Sequence, residues 1–582
     1  MTTPTSSQRD VTLQQLIDND STIRKSSTNN DSNELQQQLS AMIQTSVNLT
    51  ATTAPVASIP FQQLRLDSRQ VAAKDVFVLL KSQSQNCQRS REYLVQAAQK
   101  AAFILSEIDP VALFVPANIP PHANLQINNP QIDNSQSSDT QTAPKQLAAL
   151  PCPVLFVPNI RDFLGDLVQA YLQYQQPVAL PTVVAVTGTN GKTTISQLVA
   201  QLTQLAAMSS AVMGTAGNGK LGALIQASHT TSDALAVQQF LYQIGTAEAK
   251  ILALEASSHG LDQQRLQGMP VTIAIYTNLS RDHLDYHADM SDYVDAKAKL
   301  FDKAHFPTLT HAIINIDDKY AQVMLDTAHA SGLIVWTYSL QASKDATFVA
   351  ATISPSLQGV EITLRSQVDA AEFNSTEKDN KQLDEIKIIS PLLGRFNVAN
   401  LLAAIAAVVA LGISLERIAS LVPQLQGAVG RMQRVPSNDS CFIVDYAHTP
   451  DALSQVLASL KTHCQGQLWA VFGCGGDRDG GKRPLMAQAG LSGADRVVLT
   501  ADNPRTEDPN VILQDMQVGM SAEQYQRTHI EPARQKAIEY AVSNASADDI
   551  VVIAGKGHET YQEINGVRHD FDDSVILQKA LQ

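Results

Sequence analysis

Cysteine is scarce in this chain. Five occur among 582 residues (Cys87, Cys152, Cys441, Cys464 and Cys474), and no two stand as Cys-x-x-Cys. That scatter argues against a zinc site or a disulfide framework and fits a reducing compartment. Long apolar runs are missing too, and none approaches the roughly 20 residues of a membrane span. There is no long basic run, and the formal net charge is −14. Nucleic acid and anionic membrane surfaces are therefore not expected as main partners. A small anionic substrate remains compatible, because a local cluster of Lys, Arg and backbone N–H groups can bind phosphate within an acidic protein. The first fifty residues are polar, without the basic start and apolar core of a secretory signal. No internal repeat is found. These absences predict a soluble cytoplasmic protein, read here as a monomer.

The length predicts about three or four domains. Three stretches are too polar to offset the entropy of ordering: residues 1–55, 119–147 and 366–385. The first reads as a disordered extension, and the other two as surface insertions. Between them, short apolar runs recur: Asp75–Leu80, Val183–Val186, Ile251–Leu254, Ile273–Tyr276, Ala312–Ile316, Phe442–Val444, Leu468–Phe472, Arg496–Leu499 and Ile550–Ala554. Helical periodicity lies between many of them, as in Leu401–Leu411, and Tyr93–Lys100 is a further helix candidate. This alternation predicts α/β domains with largely parallel sheets, whose ligands bind beyond the carboxyl ends of the strands.

The strongest local signal is Thr187-Gly188-Thr189-Asn190-Gly191-Lys192-Thr193-Thr194, which follows a strand and opens a helix. Glycines let the backbone wrap an anion, and the N–H groups of the helix start donate to phosphate. Lys192 is expected on the β- and γ-phosphates of ATP and Thr193 on magnesium. Val186 stands where the general P-loop pattern has its first glycine, so the loop is a shorter variant. Glu255 ends an apolar strand, a place from which a carboxylate can hold magnesium.

Together with Glu255-Ala256-Ser257-Ser258-His259-Gly260, Thr277 to His287 (TNLSRDHLDYH), Gly394-Arg395-Phe396-Asn397, Gly430-Arg431-Met432 and Asp445-Tyr446-Ala447-His448, this loop resembles the Mur ligase family. The resemblance covers the chain from about Leu64 to its end. It implies an α/β, three-domain architecture: a UDP-binding N-terminal domain (56–178), a central P-loop ATPase domain (179–427) and a C-terminal Rossmann-like, amino-acid-binding domain (428–582). It implies ATP and two Mg2+ ions, with Gly188, Thr189, Asn190, Gly191, Lys192, Thr193, Thr194, Asn400, Arg431 and Asp445 on the nucleotide. Thr193, Glu255, His283 and Lys297 become the metal ligands, Lys297 after capture of CO2 as a carbamate. From the sequence alone, Lys297 reads as a solvated helix lysine. Leu66, Ser68, Thr230, Thr231, Ser257, Gln263 and Arg265 match contacts to the UDP-muramoyl-peptide. His229 departs from close relatives, and the chain carries an apparent insertion at Lys81 to Cys87.

Asp502-Asn503-Pro504-Arg505 is the motif of family members that add meso-diaminopimelate to UDP-MurNAc-L-Ala-D-Glu; lysine-adding members differ at the arginine. The implied diaminopimelate contacts are Arg478, Asp502, Asn503, Pro504, Arg505, Gly555 and Glu559. A guanidinium can hold the second carboxylate, which lysine lacks, through two parallel hydrogen bonds. The rival readings are a lysine-adding or folylpolyglutamate-type ligase, a nucleotide-dependent switch, and a dinucleotide oxidoreductase suggested by Gly473-Cys474-Gly475-Gly476. The last cluster lacks the G-x-G-x-x-G spacing.

Overall fold

A computed structural model describes residues 9–16, 18, 55–81, 88–114, 147, 149–226, 230–280, 282–284, 286–356, 359–368, 384–437 and 441–582. Most of the first polar stretch, residues 119–146, residues 369–383, most of the insertion after Lys81, and His229 lie outside them. The chain divides into two compact units. The first comprises Met1–Pro181, Ser232–Glu248 and His259–Met269; the second comprises Thr182–Thr231, Ala249–Ser258 and Pro270–Gln582.

In the first unit, strands Gln63–Arg65, Asp75–Leu79, Phe103–Ser106 and Val154–Phe156 form a parallel sheet in that order. Asp75–Leu79 is buried on both faces, so its side chains alternate between two cores: Val76 and Val78 enter one, Phe77 and Leu79 the other. The first core corrects the expectation for residues 1–55. Val11 exchanges backbone hydrogen bonds with Phe61, and Val11, Leu13 and Leu16 are fully buried in it. Averaging over a mostly polar stretch conceals a valine that bridges to Phe61 and two leucines three apart, which one helical turn brings to the same face. The outer limits of the insertions are corrected as well. Leu147 is a core residue, Ser366 is buried at the end of strand Gly359–Ser366, and Asp384 opens strand Asp384–Ser390.

The second unit holds two large sheets. In the first of them, parallel strands lie in the order Val271–Tyr276, Thr182–Thr187, Ile251–Glu255, Ser210–Gly214. Thr182–Thr187 is central, and its neighbours follow it in sequence by long crossovers, which places a switch point at its carboxyl end. Helices Lys192–Leu205 and Arg395–Ala410 pack together in its core. The other sheet orders Cys441–Asp445, Ile550–Ala554, Leu468–Phe472, Arg496–Leu499 and Thr528–Ile530 in parallel, with antiparallel Gln433–Val435 at the edge. Ile550–Ala554, last of these in sequence, inserts between the two earliest parallel strands, so a second switch point opens there. No described helix is long and apolar enough to cross a membrane.

Leu13→Ala and Leu16→Ala are each expected to lower the unfolding free energy by about 2–5 kcal/mol, the usual cost of emptying a leucine site in a core. Denaturant titration checks this, and an unchanged midpoint in both variants would contradict the assignment of the segment to the core.

Candidate functional site

The loop 188–191 leaves strand Thr182–Thr187 and is braced by the Thr277-Asn278 pair. Thr277 Oγ1 donates to Asn190 O at 2.6 Å, and Asn190 N donates to Asn278 Oδ1 at 3.1 Å. Gly191 has φ +88°, and a side chain there would meet Asn400 Oδ1 at 2.5 Å, so the loop demands glycine twice over at this position. Lys192 Nζ donates to Gly188 O and Thr189 O at 2.9 and 2.8 Å, folded over its own loop. Burial lowers the pKa of its ammonium, and Arg431 adds to the effect. Asn400 is buried and donates to Asn397 Oδ1. Thr194 is buried as well.

Glu255 is only 2% exposed, and both its oxygens accept hydrogen bonds. Its Oε1 accepts from Thr193 Oγ1 at 2.9 Å and from Thr215 N at 2.8 Å, and its Oε2 from Thr215 Oγ1 at 3.2 Å. Gly214 permits this approach, since a Cβ there would lie 2.0 Å from Glu255 Oε1. The expected peptide-binding threonines join the same network. Thr230 Oγ1 lies 3.0 Å from Thr215 Oγ1, Thr231 Oγ1 donates to Glu255 O, and Ser257 Oγ donates to Thr231 Oγ1 at 2.9 Å. Thr215, which carries no sequence signal beyond its place after a strand, organises the carboxylate.

Lys297 lies on helix Met290–Ala298 and is buried to 1% exposure, against its reading as a solvated lysine. Its Nζ donates to Gly188 O at 2.9 Å and sits 4.6 Å from the Tyr293 ring centre. Burial, reinforced by Lys192, holds its pKa well below the usual lysine range. The His283 ring packs edge-on against the same Tyr293, whose hydroxyl is 3.2 Å from Thr189 Oγ1. The four expected metal ligands are thus brought together in part, Thr193 onto Glu255 and Lys297 and His283 against Tyr293. Among the described residues no three His, Cys, Asp or Glu side chains gather as a metal-binding group.

In the first unit, Leu66 is half-buried, and Ser68 Oγ donates to Gln96. Arg265 is paired with Gln263 Oε1 through Nε and Nη2, at 3.0 and 2.7 Å. Arg161 was missed by sequence reading. It ties Glu107, Lys81 O and Gln263 O together.

Arg431 and Asp445 lie in the second unit with the loop. The segment that delivers Arg431 is clamped to the helix behind the loop: Gln201 bonds Gly427 O and Gln426 N, and Gln197 accepts from Val429 N. Arg431 stacks over Tyr446 at 4.4 Å, and His558 packs on the same ring at 5.0 Å. Asp445 accepts from Met432 N and Ala447 N, both at 2.7 Å; burial raises its pKa, against Arg431.

The remaining expected residues sit at the carboxyl ends of the second sheet. Asn503 Nδ2 donates to Glu559 Oε2 at 2.9 Å, and Arg505 Nη1 donates to Gly476 O at 2.7 Å. Arg505 has φ +51° and is pinned by its N–H to Glu563 O. Asp502 is buried against Gly555, Pro504 joins Asn503 to Arg505, and Arg478 is exposed beside Gly475. A buried pair supports the whole: Arg534 holds both Asp573 oxygens at 2.8 and 2.7 Å and donates to Ala554 O and Ala501 O. It thereby joins the backbones that lead into the Asp502 and Gly555 loops. Such a pair leaves no pattern in sequence, because its partners stand 39 residues apart.

Residues 186–408 match the Mur ligase middle domain, and residues 430–557 match the Mur ligase, glutamate ligase domain. The chain is 44% identical over 420 residues to UDP-N-acetylmuramoyl-L-alanyl-D-glutamate--2,6-diaminopimelate ligase of Pseudomonas aeruginosa, covering 70% of this chain and 79% of that protein. It is 37% identical over 542 residues to the Vibrio vulnificus protein of the same name, covering 92% and 98%. A solved structure of a ligase of that name has 41% identity and a TM-score of 0.64, over 92% of this chain and 99% of that one.

Two outcomes are expected. Asp573→Ala strands a buried guanidinium and costs about 3–5 kcal/mol of stability in denaturant titration. His558 is held neutral, burial and Arg431 lowering its pKa from 6.5 to about 4. The unfolded chain therefore binds a proton that the folded one refuses between those values, and stability is lost as pH falls from about 6.5 to about 4. His558→Gln is expected to flatten that part of the stability profile by up to roughly 3 kcal/mol. Identical pH profiles for wild type and variant would refute this.

Proposed function

The chain belongs to the Mur ligase family, and from that premise we propose that it joins meso-diaminopimelate to the D-glutamate of UDP-N-acetylmuramoyl-L-alanyl-D-glutamate in peptidoglycan synthesis. One observation carries this reading: the likeness to a ligase of that name spans 98% of the relative's length. The polar cluster around Asn503, Arg505 and Glu559 supports it chemically. The reaction is ATP-dependent. ATP and a UDP-linked precursor are intracellular metabolites, which supports a cytoplasmic place for the enzyme.

The terminal D-glutamyl carboxylate attacks the γ-phosphorus of ATP and releases ADP. The amine of diaminopimelate then attacks the acyl phosphate carbon; phosphate leaves, and the nitrogen loses a proton. The protein's part is positioning and charge neutralisation. Lys192, with the loop N–H groups, neutralises the transferring phosphoryl group. Arg431, Asp445 and Asn400 are assigned to the nucleoside side. Leu66, Ser68, Thr230, Thr231, Ser257, Gln263 and Arg265 are assigned, on the family resemblance, to the UDP-muramoyl-dipeptide. Arg505 and Arg478 receive the distal carboxylate of diaminopimelate, and Glu559 its ammonium.

The residues fit magnesium. The Thr193 hydroxyl and the buried Glu255 carboxylate are adjacent hard oxygen donors. Magnesium bound there would spread the phosphate charge. A second ion needs a further anionic oxygen. The buried Lys297 amine, whose protonated form burial disfavours, is suited to add CO2 and become one, with His283 beside the same tyrosine.

The deciding experiment is ATP-dependent coupling by the purified protein, with diaminopimelate against lysine; preference for lysine would overturn the substrate assignment. Lys192→Ala is expected to lose roughly 100-fold or more in rate. Lys297→Ala and Lys297→Arg are both expected to be nearly inactive, with short carboxylates partly rescuing the alanine variant. Wild-type turnover by Lys297→Arg would remove the carbamate. Arg505→Ala is expected to lower kcat/KM for diaminopimelate by about 30-fold or more, with much less effect on lysine. Equal loss for both would give Arg505 a structural role.

A further inference from the structure

Lys556 stands inside the Asn503–Glu559 cluster, and the family assignments give it no task. Its side chain is fully buried, a rare place for an ammonium. Three acceptors surround it: Asn503 Oδ1 at 3.1 Å, Glu559 Oε2 at 3.2 Å and Asp502 Oδ1 at 3.7 Å. Asn503 Nδ2 donates to that same Glu559 oxygen at 2.9 Å. Two donors converge on Oε2, which fixes the plane of the carboxylate and leaves Oε1 for a further cation. Asn503 is itself oriented from here, because its Oδ1 accepts from both Lys556 Nζ and Glu563 N.

The charges tell the same story. Asp502 and Glu559 bring two negative charges to one buried ammonium, so negative charge remains on the Glu559 side. Arg505, tethered to Gly476 O and 3.8 Å from Glu563, supplies positive charge on the same loop. An amino-acid end with one ammonium and one carboxylate matches that pair.

We propose that Lys556 is a positioning residue that fixes Glu559 as the acceptor of the distal ammonium of diaminopimelate, and so sets the preference for substrates carrying that ammonium. The inference rests on the reading of this chain as a diaminopimelate-adding ligase. It differs from the role of Arg505, which concerns the distal carboxylate.

The test compares diaminopimelate with 2-aminopimelate, which keeps both carboxylates and lacks the distal ammonium. In the full-length enzyme, Lys556→Met is expected to lower kcat/KM for diaminopimelate by about 30-fold, the scale of losing one half of a buried charge pair. Use of 2-aminopimelate should change little, so the ratio of the two collapses. KM for ATP and for the UDP-muramoyl-dipeptide should stay within about twofold, since their binding energy is not touched. Glu559→Gln should collapse the same ratio, and the double variant should be no worse than either single one, because the two residues act as a unit. Lys556→Gln keeps a donor without the charge and gives the same ordering at smaller size where Lys556→Met does not fold. A folded Lys556 variant with the wild-type ratio, or one that raises KM for all three substrates together, overturns the proposal alone. Wild-type enzyme that couples no diaminopimelate overturns the ligase reading and the proposal with it.

Discussion

A buried carboxylate, Glu255, is the interaction on which the nucleotide end of this molecule turns. Placing that charge at the carboxyl end of a strand buried on both faces is costly unless it is paired or hydrogen-bonded. The fold meets the cost with three donors from two sides: the Thr193 hydroxyl on the helix after the phosphate loop, and the N–H and hydroxyl of Thr215, one residue beyond the neighbouring strand. Each donor is fixed in place by that demand. Thr193 cannot turn outward, strand Ser210–Gly214 must end in a residue without a side chain, and Thr215 must offer both N–H and hydroxyl. An ion arriving at such a carboxylate meets ligands already oriented, which is how fixed dipoles contribute to catalysis.

The amino-acid end repeats the device with a pair. Arg534 and Asp573 are both excluded from solvent, and the guanidinium also donates to Ala554 O at one strand end and to Ala501 O two residues past another. The two loops that carry the recognition residues therefore leave the sheet from a rigid base. Between the two ends, the glutamines at 197 and 201 fasten the arginine-bearing segment to the helix behind the phosphate loop. Polar contacts thus hold the elements that bear the chemistry, while the apolar strands supply the frame.

What could be read in the sequence divides along the same line. Strands such as Leu468–Phe472 and Ile550–Ala554 were visible to the residue, because a strand buried on both faces is an unbroken apolar run. The phosphate loop was visible because glycine, lysine and threonine at fixed offsets are rare outside that context. Glu255 was visible as an acid ending an apolar run. Lys297 was not legible from composition, since an amphipathic helix lysine and a buried one have the same neighbours in sequence. Thr215, Arg161 and Arg534 were invisible for a different reason: their partners are tens of residues away, and threonine or arginine has no local pattern for long-range pairing. Val11, Leu13 and Leu16 were lost by averaging.

The division of the chain into units has a consequence for how the protein is made. The first unit is not continuous in sequence, because it needs Ser232–Glu248 and His259–Met269. Val11 and Leu16 leave the ribosome early, yet Ala234, which shares their core, follows more than two hundred residues later. By then strands Thr182–Thr187 and Ser210–Gly214 of the second unit have been synthesised and wait for Ile251–Glu255 and Val271–Tyr276. The strands of the first unit's sheet are all made by Phe156, but the unit lacks Ser232–Glu248 and His259–Met269 until after the second unit's first strands have emerged, so both units are incomplete at once. Parallel sheets with distant partners are slow to form and exposed while they wait. From about residue 180 to 269 the nascent chain therefore leaves uncovered both the core that Ala234 completes and the strands that flank Thr182–Thr187.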